Sequence, residues 1–268
     1  MNAPLTNEQL KQFAPSIFAT EPWNKVSSRY AFVPTSVVLD ELRKEGFVPV
    51  KVSQSNTRIE GKQEFTKHMI RLRHQDYLDK PKTVGDEIPE LVLVNSHDRS
   101  SSYQLSAGVF RLVCSNGMVV RSANFGDISV HHTGDIVGEV IEGSAKIIKE
   151  MPQIMEHIKE FRSIKLSTTE QLIFANAAMQ LRYPTDEDSI VAAPINAAQL
   201  LSVRRAADNS NDLWTTFNRV QENFIKGGLR GKGSTGKRMT TRKIASVTED
   251  LRLNKALWLL TEEMARLS

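Results

Sequence analysis

From Phe47 to His132 apolar side chains recur at alternate positions, and after Gly134 they recur every third or fourth position. A strand presents its side chains to opposite faces in turn, whereas a helix returns to one face about every 3.6 residues, so each stretch suits one kind of element. Val48, Val50 and Val52 open the alternation. It returns in HMIRLRH (68–74), where Met69, Arg71 and Arg73 share one face and Ile70 and Leu72 the other. ELVLVNSHD (90–98) and ISVHH (128–132) read as further strands. Residues 102–123 read as an interrupted strand or short helix and then a hairpin, with Asn116-Gly117 at the turn because both tolerate positive φ. Several strands in succession without βαβ spacing pair antiparallel. The expected fold is α+β: a mainly antiparallel sheet in the N-terminal half, packed with helices largely from the C-terminal half.

Two short helices precede the sheet. One lies around Asn7–Phe13 in an N-terminal arm, 1–30, whose Phe13, Phe18, Trp23 and Tyr30 offer anchors. The other opens at Thr35/Ser36, runs to Lys44 and is ended by Glu45-Gly46, since glycine accepts a left-handed exit. Beyond Gly134 a long helix spans 137–162, with Gly143 and Pro152 as points of bending or division. Ser167 and Glu170 form a capping-box signature ahead of the next helix. INAAQLLSVRR (195–205), LWTTFNRVQENFIKGG (213–228) and residues 245–266 read as three more. Residues 229–240, rich in Gly, Ser, Lys and Arg, read as a mobile loop. Residues 31–268 are expected to form a single α+β domain carrying a basic glycine-rich loop at 226–243.

With 268 residues and 40% hydrophobic content, the chain can bury a sizeable core. Its single cysteine, Cys114, permits no internal disulfide. No apolar run approaches the ~20 residues that cross a bilayer, and the N-terminus lacks a signal-peptide pattern, so the cytoplasm is the expected location and a membrane is not an expected partner. Net charge is only +4, so where the charge sits matters more than its sum.

It sits in one place. Lys226, Arg230, Lys232, Lys237, Arg238, Arg242 and Lys243 lie in a stretch, 223–248, without Asp or Glu. Cations interleaved with glycines suit a phosphate backbone, and Trp214, with Phe217 and Phe224, offers rings that could stack on unpaired bases. The same aromatic spacing is also that of a helix core, and the same loop could be a solvated linker. GLRGKGSTGK (228–237) is not a nucleotide-binding loop: Arg238 stands where Ser or Thr must meet magnesium, and a helix rather than a strand leads into it.

Chemistry in the sheet half is sparse. His97, Asp98, Cys114 and His131 are residue types that bind metal or move protons, but no paired metal motif or nucleophile elbow accompanies them. Adjacent His131 and His132 on a strand point to opposite faces, so at most one could join a cluster. Cys114 reads as a small buried residue. No cofactor, metal or catalytic residue is assigned.

NSHDRSSSYQLSAGVFRLVCSNGMVV (95–120) resembles the central motif of the phage/plasmid-like family called domain of unknown function 932. HHTGD (131–135) and LWTTFNRVQENFIKGG (213–228) are similar to later parts of it, and the resemblance spans residues 30–260. It implies a protein carried by phages, prophages, plasmids or integrated elements, near recombination or anti-restriction functions, and supplies no catalytic residues. The expected function is therefore a nucleic-acid-binding accessory protein of a phage or mobile element, contacting single-stranded DNA in recombination or DNA protection, with homo-oligomerisation in keeping. The alternatives are an interaction factor that blocks a host defence or replication protein, and a nuclease or hydrolase with a site near His97 and Asp98.

Overall fold

The first four strand segments pair as a meander, each antiparallel to the next. In the structure, a computed structural model, residues 3–24, 31–78, 86–112, 117–119, 127–184, 193–233 and 235–268 are described; Tyr30, Cys114 and Asn116 lie outside them. These residues form two compact units, divided between Met151 and Pro152.

The first unit opens with α1 (Asn7–Phe13), started by a capping box between Thr6 and Gln9. A 3-10 turn (Pro15–Phe18) and α2 (Thr35–Lys44) follow. The strands are β1 (Phe47–Gln54), β2 (His68–His74), β3 (Glu87–Asn95), β4 (Tyr103–Arg111), β5 (Gly117–Val119) and β6 (Ile128–Val130). Their order is β1-β2-β3-β4, with β5 and β6 both pairing along the outer edge of β4. Residues 103–111 are thus strand, and the short-helix reading of this stretch is corrected. The valine alternation is interrupted by a bulge between Pro49 and Lys51. Val48 pairs with Arg73 and Val52 with Ile70, which face opposite ways, because the extra residue shifts the strand by half its period.

One sheet face carries Leu72, Ile70, Leu91, Leu93 and Leu105, all buried. Among the described residues the arm, α2 and the start of α3 (Ile136–Ser163) meet this face. Gly143 neither breaks nor divides α3, which is continuous through Pro152 as well. A Cβ at Gly143 would stand 3.0 Å from the side chains of Ile128 and Leu105, so the glycine marks a close approach of helix to sheet.

The opposite face carries charge. Glu90 accepts from Arg71 Nε at 2.5 Å and from Arg73 Nε at 2.8 Å, and all three side chains are at most 2% exposed. Arg71 also donates to the Met118 carbonyl at 2.9 Å, and the Arg73 guanidinium lies 4.2 Å from the Phe110 ring centre. Burying three charges is tolerable because each carboxylate oxygen has its own guanidinium, but the arrangement fails if one partner is removed.

The second unit is helical: the end of α3, then α4 (Thr168–Arg182), α5 (Ala197–Leu200), α6 (Leu213–Lys226) and α7 (Val247–Leu267). The Ser167–Glu170 capping box is formed as the sequence indicates. The helix expected over 195–205 is confined to the four residues of α5. Every residue of α6 from Leu213 to Phe224 is buried, polar ones included. The loop expected at 229–240 is instead a two-stranded antiparallel ribbon, β7 (Arg230–Lys232) with β8 (Arg238–Thr240). No helix among the described residues is long and apolar enough to cross a membrane.

The buried triad gives a test of the first unit. Glu90→Ala leaves two buried arginines without a counter-charge and is expected to destabilise by about 3–5 kcal/mol in urea unfolding, whereas the apolar triple replacement Arg71→Met, Glu90→Leu, Arg73→Met should lose far less. Equal losses from the two would contradict this reading of the triad.

Candidate nucleic-acid interface

The basic ribbon is shaped by the helix that feeds it. α6 is covered on all sides, so its polar side chains must find partners within the unit. Glu222 is paired by both Arg205 and Lys226, the latter at 2.7 Å. Asn223 donates to the carbonyls of Leu200 and Ser202, and Arg204 donates to Asn223 Oδ1 at 2.7 Å and to the Gly227 carbonyl at 2.5 Å. Arg182, at the end of α4, donates to the Phe224 and Arg242 carbonyls. These arginines satisfy carbonyls at and beyond the C-terminal end of α6, where no helical donor remains.

The chain leaving α6 is therefore held before the ribbon begins. At its base the Gly228 amide donates to the Thr241 carbonyl, and the Thr241 amide to that of Leu229. Along the outer edge of β7, Lys232 N–H donates to the Pro194 carbonyl and Gln199 to that of Arg230. Gly231 admits this approach, since a Cβ there would collide with the Pro194 carbonyl. The tip is closed by bonds from Gly233 N–H to the Lys237 carbonyl and from Gly236 N–H to the Gly233 carbonyl.

Register then sorts the side chains. Arg230 pairs with Thr240 and Lys232 with Arg238, so these four share one ribbon face, while Gly231 and Met239 share the other. Together they line an open hollow of about 460 Å³. Arg230, Lys232 and Arg238 are exposed, as are Lys237 in the turn and Arg242 and Lys243 beyond it. Among the described residues none of these six side chains has an ion-pair partner.

Two residues proposed from sequence differ from these six. Lys226 is already paired with Glu222. Trp214 is fully buried, stacked on Phe217 at 5.3 Å and met edge-on by Trp258, and Phe217 and Phe224 are equally inaccessible. The aromatic spacing is core spacing, and no ring face is left for a base. Sequence periodicity did not single out Arg182, Arg204 or Gln199, because their work is done through backbone carbonyls distant in the chain.

Of the residues considered for chemistry, Cys114 lies outside the described residues, and His97, Asp98 and His131 stand in separate surroundings. Asp98 is bound to Lys62 at 2.9 Å and accepts from the Ser100 amide; burial pushes its carboxyl up, but these hydrogen bonds outweigh it and hold it low. His131 is exposed, and it is His132 that turns inward, 5.3 Å from the Tyr103 ring. His97 is buried in a different set of contacts. Its Nε2 lies 3.1 Å from Thr35 Oγ1, which also lies 3.0 Å from His68 Nε2 and from Asn95 Nδ2. No group of three His, Cys, Asp or Glu among the described residues could hold a metal ion.

Hydrogen bonds assign the protons in this cluster. Gln54 donates to the Gln63 carbonyl and Thr66, so its Oε1 accepts from the Ser16 hydroxyl at 2.8 Å. Ser16 Oγ must then accept from His68 Nδ1 at 2.7 Å, leaving His68 Nε2 to accept the Thr35 proton. Thr35 Oγ1 in turn accepts from Asn95 and His97, and Tyr103 gives its proton to the Val33 carbonyl. The network fastens the arm and α2 to the sheet. It requires a neutral His68, in accord with burial lowering the His68 pKa to about 4; burial, with the neighbouring His68 and His132, lowers that of His97 to about 3.

Over residues 22–258 the chain matches the model of the family described as Domain of unknown function (DUF932). It belongs to that family. Two Escherichia coli (strain K12) relatives are similar along almost their whole length. UPF0380 protein YafZ is 41% identical over 261 residues, 97% of this chain and 92% of the relative. UPF0380 protein YfjQ is 40% identical with the same coverage. No solved structure matches.

The histidine network makes stability depend on pH in this DUF932 chain. Rings whose folded pKa is depressed take up protons more readily when unfolded, so stability is full above pH ~6.5 and falls as pH drops toward 4. Between pH 7 and pH 5 the loss should reach roughly 2 kcal/mol per histidine by denaturant titration, with both rings still neutral by NMR at pH 5. A flat profile, or a protonated His68 at pH 5, would contradict the assignment.

Proposed function

We propose that this protein binds nucleic acid, with the β7–β8 ribbon as its contact and the phosphate backbone as what it grips. One observation carries the reading: Arg230, Lys232 and Arg238 share one exposed ribbon face, and no carboxylate among the described residues pairs with them. A cation already paired with a carboxylate must lose that partner to bind phosphate, whereas an unpaired one only releases the counterions of the nucleic acid. Lys237, Arg242 and Lys243 extend the same charge along the tip and base.

Preorganisation supports the reading as well. The ribbon is fastened through Pro194, Gln199, Arg182 and Arg204, so binding need not order a loose loop. Contacts of this kind position a protein on a backbone without reading sequence. In the phage or plasmid setting that the sequence resemblance implies, a sequence-independent grip suits an accessory protein of recombination or DNA protection.

Charge reversal tests it. Arg230→Glu with Arg238→Glu should weaken binding by about tenfold or more near 0.1 M salt on every sequence tried, and lower the slope of log K against log salt by about two. Circular dichroism and the thermal midpoint should stay unchanged, because both side chains are exposed. Unaltered affinity in the folded double variant would overturn the assignment of this ribbon.

A further inference from the structure

We infer that the nucleic acid taken by the ribbon is B-form duplex DNA, entered through its major groove. This rests on the ribbon being the nucleic-acid contact and goes beyond it by naming the form of the partner. Three observations carry it.

The first concerns stacking. Proteins that hold single strands without sequence preference usually set bases on exposed aromatic rings, each worth about 1–3 kcal/mol. Residues 229–243 contain no aromatic residue, and the rings nearest in sequence, Trp214, Phe217 and Phe224, are fully buried. The ribbon offers cations without a stacking platform.

The second is size. Paired strands run about 4.8 Å apart. The major groove of B-form DNA, about 12 Å wide, admits a two-stranded ribbon. The major groove of A-form RNA is too narrow and deep for side chains to read. This ribbon is also slender at its tip, where Gly233 and Gly236 add no side-chain bulk.

The third is the distribution of side chains over the two faces. The long cations Arg230, Lys232 and Arg238 lie on one face, able to reach phosphates flanking a groove. On the other face Met239, paired with Gly231 midway along the ribbon, is 43% exposed, an apolar group among polar ones. Inside a major groove such a group meets the thymine methyl, which a minor groove does not present.

The experiment compares the full chain on three probes of one sequence: duplex DNA, single-stranded DNA and duplex RNA. Fluorescence anisotropy should give an affinity for duplex DNA at least about tenfold above the other two, lost with Arg230→Glu and Arg238→Glu. Bound duplex should be protected from dimethyl sulfate at guanine N7, an atom of the major groove. Equal or tighter binding to single-stranded DNA or RNA, or N7 atoms left open on bound duplex, would overturn the inference while leaving the nucleic-acid reading intact. Failure to bind any of the three probes would overturn both.

Discussion

The burial of α6 is the constraint on which the second unit depends. A helix covered on one side can leave its polar residues in water, but α6 is covered from Leu213 to Phe224 and must satisfy Asn218, Arg219, Gln221, Glu222 and Asn223 inside the protein. Partners come from elements far apart in the chain: Gln171 for Arg219, Asn254 for Gln221, Arg205 for Glu222 and Arg204 for Asn223. The same burial absorbs Trp214, Phe217 and Phe224 into the core. It also makes the end of α6 a fixed point, with Arg182 and Arg204 on its last carbonyls. The basic residues that follow start from that fixed point, which is why they form a ribbon rather than a loop.

The first unit solves a similar problem twice. On one sheet face a single hydroxyl, that of Thr35, gathers His68, His97 and Asn95 from the strands and their ends, and the direction of each proton follows from Gln54 outward. On the other face one carboxylate, Glu90, gathers Arg71 and Arg73. Both clusters are buried, and both are built from residue types that elsewhere do chemistry. Here these groups hold the arm, α2 and the strands in register.

Much of the fold was legible because its local signals agree. The helix at Asn7–Phe13 begins at a capping box, that at Thr35–Lys44 is ended by Gly46, and the strand 68–74 and the Ser167 capping box were equally plain. What was not legible depended on pairing at a distance. The bulge after Pro49 defeats a strict alternation, and it is set by the partner strand. HMIRLRH shows two arginines on one face but not that Glu90 lies across from them. The amphipathic pattern of α6 suggests an exposed polar side, and only the surrounding helices and arginines remove it. The ribbon was hidden because glycine and lysine are poor strand formers, and its pairing is supported by Pro194 and Gln199 from outside the segment.

In the proposed function, residues 229–243 meet nucleic acid on a frame that is already folded. Hydrogen–deuterium exchange of the full chain, with and without saturating DNA, tests it most directly. Added protection is expected to concentrate in the ribbon and its flanks, with α6 strongly protected in both states and unchanged. Protection confined to other segments, or a ribbon that exchanges at the same rate when DNA is bound, would contradict it.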